Sequence, residues 1–288
     1  MGSNITSFTV LEHPAPSFTT SEAAELAKFW FKETLDVSPL VSERDQNFLL
    51  TNKKREKFVL KIANAAESVE VLDFQNQAMN HMAKQDPSLP LPRACLSLDK
   101  QQIHRLELNG NEHFVRVVTY LSGRLLDDLP KDRRDQNLMV SMGQFLGRLD
   151  RGLSDFFHPA AGHALLWDLQ QTPNLHQHLS HIKNKNNLLT AQKTLDHFQE
   201  HIAPKFSMLR TQVIHNDMHL DNVVVNENDT SQVTGMIDFG DLVYAPLIND
   251  PAVAAAYLTV SCADLFIGTT DILKGYHSIN PLQEQEMD

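Results

Sequence analysis

Ile214-His215-Asn216-Asp217-Met218-His219-Leu220-Asp221-Asn222 and, a short way on, Ile237-Asp238-Phe239-Gly240-Asp241 are the stretches on which the fold turns. An Asp stands two residues after a His, an Asn follows that Asp by five, and a second carboxylate comes 21 residues after the first. At about one chance in twenty per fixed residue, three fixed positions match by accident roughly 0.04 times in a chain of this length. The second stretch lowers the odds of accident by more than about tenfold. Between the two, Asn222 to Val225 and Val233 to Ile237 read as short strands joined by the polar turn Asn226-Glu227-Asn228-Asp229. The competing reading, in which His215 and Asn222 cap a loop and Asp238 ends a strand, needs both coincidences.

Working outward, helical spacing surrounds this hairpin: Leu138 to Leu153, a polar loop over His176 to Asn187, then about Thr190 to Ile202. Before Ser122-Gly123 the pattern is different. Thr19-Thr20-Ser21-Glu22 is a capping box, opening a helix with Ala23, Leu26, Ala27, Trp30 and Phe31 on one face. Strands follow over Val37 to Val41, Gln46 to Thr51 and Lys57 to Ala63, then a helix from about Ser68 to Lys84. Gln102 to Leu108 and His113 to Val118 flank the hairpin signal Asn109-Gly110. The chain therefore reads as α+β, with an antiparallel-sheet lobe over residues 1–119 carrying one main helix and a mostly helical lobe over residues 120–288.

Composition narrows the function classes. Lys plus Arg is 25 against 36 for Asp plus Glu, a net charge of −11, which is the wrong sign for nucleic acid or anionic membrane as partner. Cys95 and Cys262 are too few for a disulfide framework or a cysteine zinc site, so a reducing, cytoplasmic setting is expected. The longest apolar stretch, Ala252 to Ala263, is short of a membrane span. No Walker loop, dinucleotide glycine motif, nucleophile-elbow serine or His-Glu-x-x-His helix occurs. His215, Asp217 and His219 alternate and so carry a rival reading as zinc ligands.

The His-x-Asp-x-x-x-x-Asn and Asp-Phe-Gly spacing resembles the catalytic loop and metal-binding segment of kinases. In that chemistry Asp217 accepts the proton of an attacking hydroxyl, His215 stands with it in the loop as a brace, and Asn222 and Asp238 give oxygen ligands to Mg²⁺. Lys61 lies on Val59-Leu60-Lys61-Ile62, similar to the kinase strand whose lysine pairs with nucleotide phosphates, and shares a face with Val59 opposite Phe58, Leu60 and Ile62. On the following helix Gln75 falls on the apolar face of Leu72, Met79 and Met82, where kinases place the glutamate that holds this lysine; Glu70 and Asp73 are the alternative partners. The turn Ser42-Glu43-Arg44-Asp45-Gln46-Asn47 occupies the place of the Gly-rich loop without a glycine, so Ser42, Arg44 and backbone amides are expected at the phosphates.

The full pattern His-x-Asp-x-His-x-x-Asn with Ile-Asp-Phe-Gly-Asp resembles the aminoglycoside phosphotransferase and choline kinase superfamily over roughly residues 20 to 260. Ser42 to Phe48, Gln75-Asn76, His158-Pro159-Ala160-Ala161, Trp167-Asp168-Leu169 and His215-Asn216-Asp217 are similar to the hydroxylysine kinase branch. The resemblance implies a bilobal protein-kinase-like fold and Mg²⁺-dependent transfer of a γ-phosphate from ATP or GTP to the hydroxyl of a small amino alcohol. It places Tyr120 and Leu121 beside the nucleotide base. Asp241 and Asp250 are read either as groups attracting the substrate ammonium or as helix caps. Only 50 residues follow Asp238, fewer than this family's helical lobe needs, so a C-terminal truncation is expected, and the resemblance also implies an origin beside a fused aminotransferase domain. Gln75 and the glycine-free turn also admit a second class, a catalytically silent nucleotide-binding module.

Overall fold

The computed structural model describes residues 13–108, 110–130, 134–259 and 265–287; Asn109 of the expected hairpin turn and Cys262 lie outside them. The N-terminal lobe opens with α1 (Thr20–Ala27), where the Thr19 hydroxyl accepts the Glu22 N–H and the Glu22 carboxylate accepts the Thr19 N–H. Behind it, β1 (Asp36–Leu40), β2 (Gln46–Thr51), β3 (Lys57–Ile62), β4 (His104–Leu108) and β5 (Asn111–Thr119) form one antiparallel sheet in the order β1-β2-β3-β5-β4.

Alternation along the central strands divides the sheet's two faces. Leu60 and Ile62 of β3 and Val115 and Val117 of β5 are fully buried with Phe48, Leu50 and the Ala23, Ala27 and Trp30 side chains of the α1 segment. The intervening residues, Lys61 and its cross-strand partner Arg116, point to the opposite face, where α2 (Val69–Gln85) packs. Ser68 caps α2 through the Val71 N–H, and Leu72, Gln75, Met79 and Met82 are buried along one stripe.

The C-terminal lobe is built on α3 (Gln136–Leu153), α4 (Lys185–His197), α5 (Asn249–Thr259), α6 (Leu265–Ile279) and the short α7 (Glu284–Met287). Two small sheets interrupt it: β6 (Arg124–Leu125), β8 (Val223–Val225) and β9 (Val233–Met236) in the order β6-β8-β9, and β7 (Thr211–Ile214) paired with β10 (Val243–Pro246). The main core runs from Phe74, Met79 and Met82 of α2 through α3 to Phe239, Leu258, Ile272 and Tyr276, so it joins both lobes. The antiparallel-sheet lobe and the helical lobe are thus as the sequence implies.

Two differences from the sequence reading concern short elements. Of the segment expected as a polar loop, His176 to Asn187, the first part belongs to a run of 3₁₀ turns over Leu169–His181, which has no buried side chain to give it a hydrophobic period, and the last part to α4, which begins five residues earlier than its spacing suggests because Asn184 caps it. The pair β7 and β10 has no counterpart in the sequence pattern, since four-residue strands leave almost no alternation to read. Among the described residues no helix is long and apolar enough to cross a membrane.

Candidate active site

β7 delivers the chain at Ile214 into the loop His215 to Asn222, and a buried carboxylate fixes that loop from below. Asp250 accepts the His215 N–H at 2.9 Å and the Asn216 N–H at 2.8 Å, which lets Asn216 hold the left-handed φ of 64° that asparagine tolerates better than most residues. The His215 ring is fully buried, edge-on to Phe239 at 5.1 Å. The expectation that His215 braces the loop agrees with this position, and its place among reacting residues does not. Asp250 is likewise fully buried beneath the loop; of its two readings, a group facing a substrate ammonium is corrected by its burial and backbone bonds.

Asp217 and Asn222 come together as the spacing predicts. The Asn222 side-chain N–H₂ donates to Asp217 Oδ2 at 2.7 Å and to the Asp217 carbonyl at 3.0 Å, which leaves the Asn222 Oδ1 outside both bonds. His219 Nε2 lies 3.4 Å from Asp217 Oδ2, while the Asp221 N–H donates to His219 Nδ1 at 3.2 Å, so the neutral ring carries its proton toward Asp217. The hydrogen bond to Asp217 raises the His219 pKa against the effect of burial, and the charges of Asp217, Asp221 and Asp238 add to the rise.

The Ile237 N–H donates to the Asn222 carbonyl at 2.8 Å and thereby sets Asp238 beside Asn222. Asp238 adopts φ 59°, a backbone state seldom occupied outside glycine and kept here by the bonds its carboxylate makes. Its Oδ1 accepts the Lys61 ammonium at 3.2 Å and the Gly240 N–H at 3.0 Å. Burial pushes the Asp238 carboxyl up, but the Lys61 charge and hydrogen bond, the Gly240 N–H and Arg44 together hold it well below the usual carboxylate range. Among the described residues no donor reaches Asp238 Oδ2 or Asn222 Oδ1. Two unengaged oxygens, one anionic and one neutral, make a donor set suited to a hard divalent cation.

Gln75 does not hold Lys61, which pairs with Asp238 directly. Its side-chain oxygen instead accepts from the Arg116 guanidinium, which also donates to Asn76 Oδ1 at 3.0 Å, and its amide donates to the Gly240 carbonyl at 3.3 Å. The buried cation beside this neutral amide is Arg116, the cross-strand partner of Lys61 on β5. Of the alternative partners, Asp73 meets His158 at 3.2 Å and Glu70 is exposed. Arg116 was not singled out from sequence, although a charged residue in mid-strand among Val115, Val117 and Val118 was the available signal.

The glycine-free turn between β1 and β2 forms the roof. Asn64 pins it: its side-chain N–H₂ donates to the Arg44 carbonyl at 3.3 Å, its Oδ1 accepts the Ala66 N–H at 3.0 Å, and its backbone N–H donates to Asp45 Oδ1 at 3.2 Å. Ser42 is half-buried on the same turn. Arg44 crosses to the other lobe: its Nη2 meets Asp241 Oδ1 at 2.5 Å and its guanidinium lies 4.8 Å from the Trp167 ring centre. Trp167 Nε1 donates to the other Asp241 oxygen at 2.7 Å. Tyr120 and Leu121 stand where the lobes join. The Tyr120 N–H is already given to the Lys57 carbonyl at 3.2 Å, and Leu121 packs on Gly235 of β9. The zinc reading fails on geometry, since buried His215 faces Phe239, and among the described residues no three His, Cys, Asp or Glu side chains converge to hold a metal.

A profile of the phosphotransferase enzyme family matches residues 36–276. Hydroxylysine kinase of Mus musculus is 25% identical over 296 residues, covering 94% of this chain and 77% of its own length. That of Danio rerio is 27% identical over 288 residues, covering 95% and 79%. Among solved structures, an amicoumacin kinase in complex with AMP-PNP, Ca²⁺ and Ami aligns at TM-score 0.73 and 15% identity, over 93% of this chain and 79% of that one. A microcompartment-associated aminopropanol kinase aligns at TM-score 0.65 and 15% identity, over 93% and 83%. These two are likenesses of fold. The family match runs from β1 into α6, and on it the chain belongs to the phosphotransferase enzyme family and is a phosphotransferase with an alcohol group as acceptor.

Proposed function

We propose that this protein transfers the γ-phosphate of ATP or GTP to the hydroxyl of a small amino alcohol, such as hydroxylysine or ethanolamine, in the presence of Mg²⁺. The observation that carries this reading is the meeting of Asp217, Asn222 and Asp238 with the Lys61 ammonium in one crevice between the lobes. The names of the relatives and neighbours, hydroxylysine kinase and aminopropanol kinase, support the acceptor class, and the AMP-PNP and Ca²⁺ of the amicoumacin kinase complex support a nucleotide with a divalent cation.

Asn222 and Asp238 would hold the cation, which when bound neutralises charge on the phosphates. Lys61, now paired with Asp238, is placed to share itself with the nucleotide, with Ser42 and the amides of the roof turn above it. Tyr120 and Leu121 supply the base with a backbone carbonyl and amide, because the Tyr120 N–H is already engaged. Asp217 takes the proton of the acceptor hydroxyl as its oxygen attacks phosphorus, and His219 holds the Asp217 carboxylate in orientation. Positioning and fixed charge do most of the work, since a loose transition state needs little covalent help.

Asp217→Asn is expected to lower turnover by about 10²- to 10⁴-fold with Mg²⁺ and either nucleotide, the range of a lost general base. Asp238→Asn should raise the Mg²⁺ concentration needed for half-maximal rate. Undiminished turnover in both variants would remove the assignment. A second reading, a silent nucleotide-binding module, draws on the Arg44–Asp241 contact across the crevice and the neutral Gln75; nucleotide binding with no transfer to any amino alcohol selects it. A cytoplasmic setting and a fused aminotransferase are parts of the proposal that rest on the sequence alone.

A further inference from the structure

Three groups not assigned together by the motifs meet at the roof of the crevice. The Asp241 carboxylate is nearly withdrawn from solvent and receives the Trp167 indole N–H on one oxygen and the Arg44 guanidinium on the other. The same guanidinium lies over the Trp167 ring face, so carboxylate and π-system hold one cation between them. Burial pushes the Asp241 carboxyl up, Arg44 pulls it down, and the charges of Asp217 and Asp238 push it up again. A buried carboxylate beside other negative charges is stabilised by an accompanying cation.

Arg44 has a competing attraction. It lies on the turn above Asp238, its Nη2 within 3.3 Å of where a Cβ on Gly240 would stand, and Asn64 fixes only its backbone carbonyl. Nucleotide phosphates entering beside Lys61 would bring far more negative charge under that turn than Asp241 offers. Drawing the guanidinium to the phosphates leaves Asp241 and the exposed Trp167 face without their cation. On the far side of Asp217 stands Tyr257 of α5, its ring 5.4 Å from that of His219, so the space between is bounded by carboxylates and aromatic rings.

We infer that Asp241 and Trp167 form the subsite for the acceptor's ammonium group, and that Arg44 fills this subsite until nucleotide phosphates displace it. The inference rests on the amino alcohol reading above and narrows it to acceptors carrying a compact primary ammonium close to the reacting hydroxyl, as in ethanolamine or the side-chain end of 5-hydroxylysine. It also makes binding ordered: nucleotide first, acceptor second, with Arg44 as the coupling element.

The test is titration calorimetry on the full chain with ethanolamine and 5-hydroxylysine, each alone and with saturating AMP-PNP and Mg²⁺. The expected result is amino alcohol binding at least about tenfold tighter with the nucleotide analogue present. Arg44→Ala should bring the nucleotide-free affinity close to the nucleotide-bound one and abolish the coupling. Asp241→Asn and Trp167→Leu should both weaken ethanolamine binding, with unfolding curves run on each variant to show that it is folded. Equal affinity of the unaltered protein with and without AMP-PNP, undiminished coupling in Arg44→Ala, or no binding of either amino alcohol overturns the inference. Phosphate transfer that proceeds equally to ethylene glycol and ethanolamine also overturns it while leaving phosphotransfer to alcohols intact. Coupled binding with no transfer keeps the subsite and overturns the kinase reading.

Discussion

Gly240 is tightly surrounded: a Cβ there would stand 3.0 Å from Asp238 Oδ1 and 3.3 Å from Arg44 Nη2. A glycine after Phe239 suits this close approach, because the Asp238 carboxylate folds back to accept its N–H. Gly240→Ala should shift that carboxylate by a few tenths of an ångström and lower kcat/KM by about tenfold, with little change in the unfolding midpoint, since placement within the site is what suffers. Steady-state kinetics beside a thermal melt separates the two effects. Residues of this kind were legible because their partners lie within a few positions of one another: Asp217 with Asn222, Asp238 with Gly240. Asn64 and Arg116 were not, because they act on Arg44 and Gln75, 20 and 41 positions away, and no local pattern encodes such pairs.

Between α3 and α6 the approach is set by glycines on both sides. A Cβ on Gly143 would overlap the Ile272 carbonyl oxygen, and one on Gly275 would overlap the Val140 carbonyl oxygen. Each glycine weakens its own helix by about 1 kcal/mol relative to alanine, so its presence in mid-helix marks a contact that the packing needs. Gly143→Ala and Gly275→Ala are each expected to destabilise the protein by about 2 kcal/mol or more despite better helix propensity, because the overlap is with backbone that cannot rotate aside. Urea unfolding of the two variants measures this, and a gain in stability would show that the helices can part freely. At this scale the sequence was most informative where periodicity is long, as in α2 and α3, whose ends fall within two residues of expectation. It was least informative over 169–181, where Pro173 and a polar composition conceal successive 3₁₀ turns.

Across the whole molecule, a buried pair of carboxylates ties the helical core to the loop that carries Asp217. Asp150 of α3 and Asp250 of α5 are both fully buried, and the Tyr276 hydroxyl of α6 donates to Asp150 Oδ2 at 2.6 Å. Asp250 spends its oxygens on the His215 and Asn216 N–H groups, while among the described residues Asp150 Oδ1 has no donor. Two adjacent carboxylates in such a place keep one proton between them, and a protonated Asp150 donating to Asp250 satisfies that oxygen. Burial first, and then the neighbouring Asp250 charge, push the Asp150 carboxyl well above the usual range; burial also raises Asp250, against the His215 charge and the hydrogen bonds it accepts. The unfolded chain releases this proton above about pH 4, whereas the native protein retains it, so the native state binds more protons and stability falls as pH rises from there toward the raised native value. The slope for one retained proton is about 1.4 kcal/mol per pH unit. Asp150→Asn keeps an oxygen for Tyr276 and an N–H donor for Asp250 but has nothing to titrate. Denaturant unfolding of both proteins at pH 5, 6, 7 and 8 should therefore give curves that diverge, with the variant gaining on the unaltered protein at each step upward. Parallel curves would mean that the pair holds no proton and that the loop beneath Asp217 is clamped by Asp250 alone.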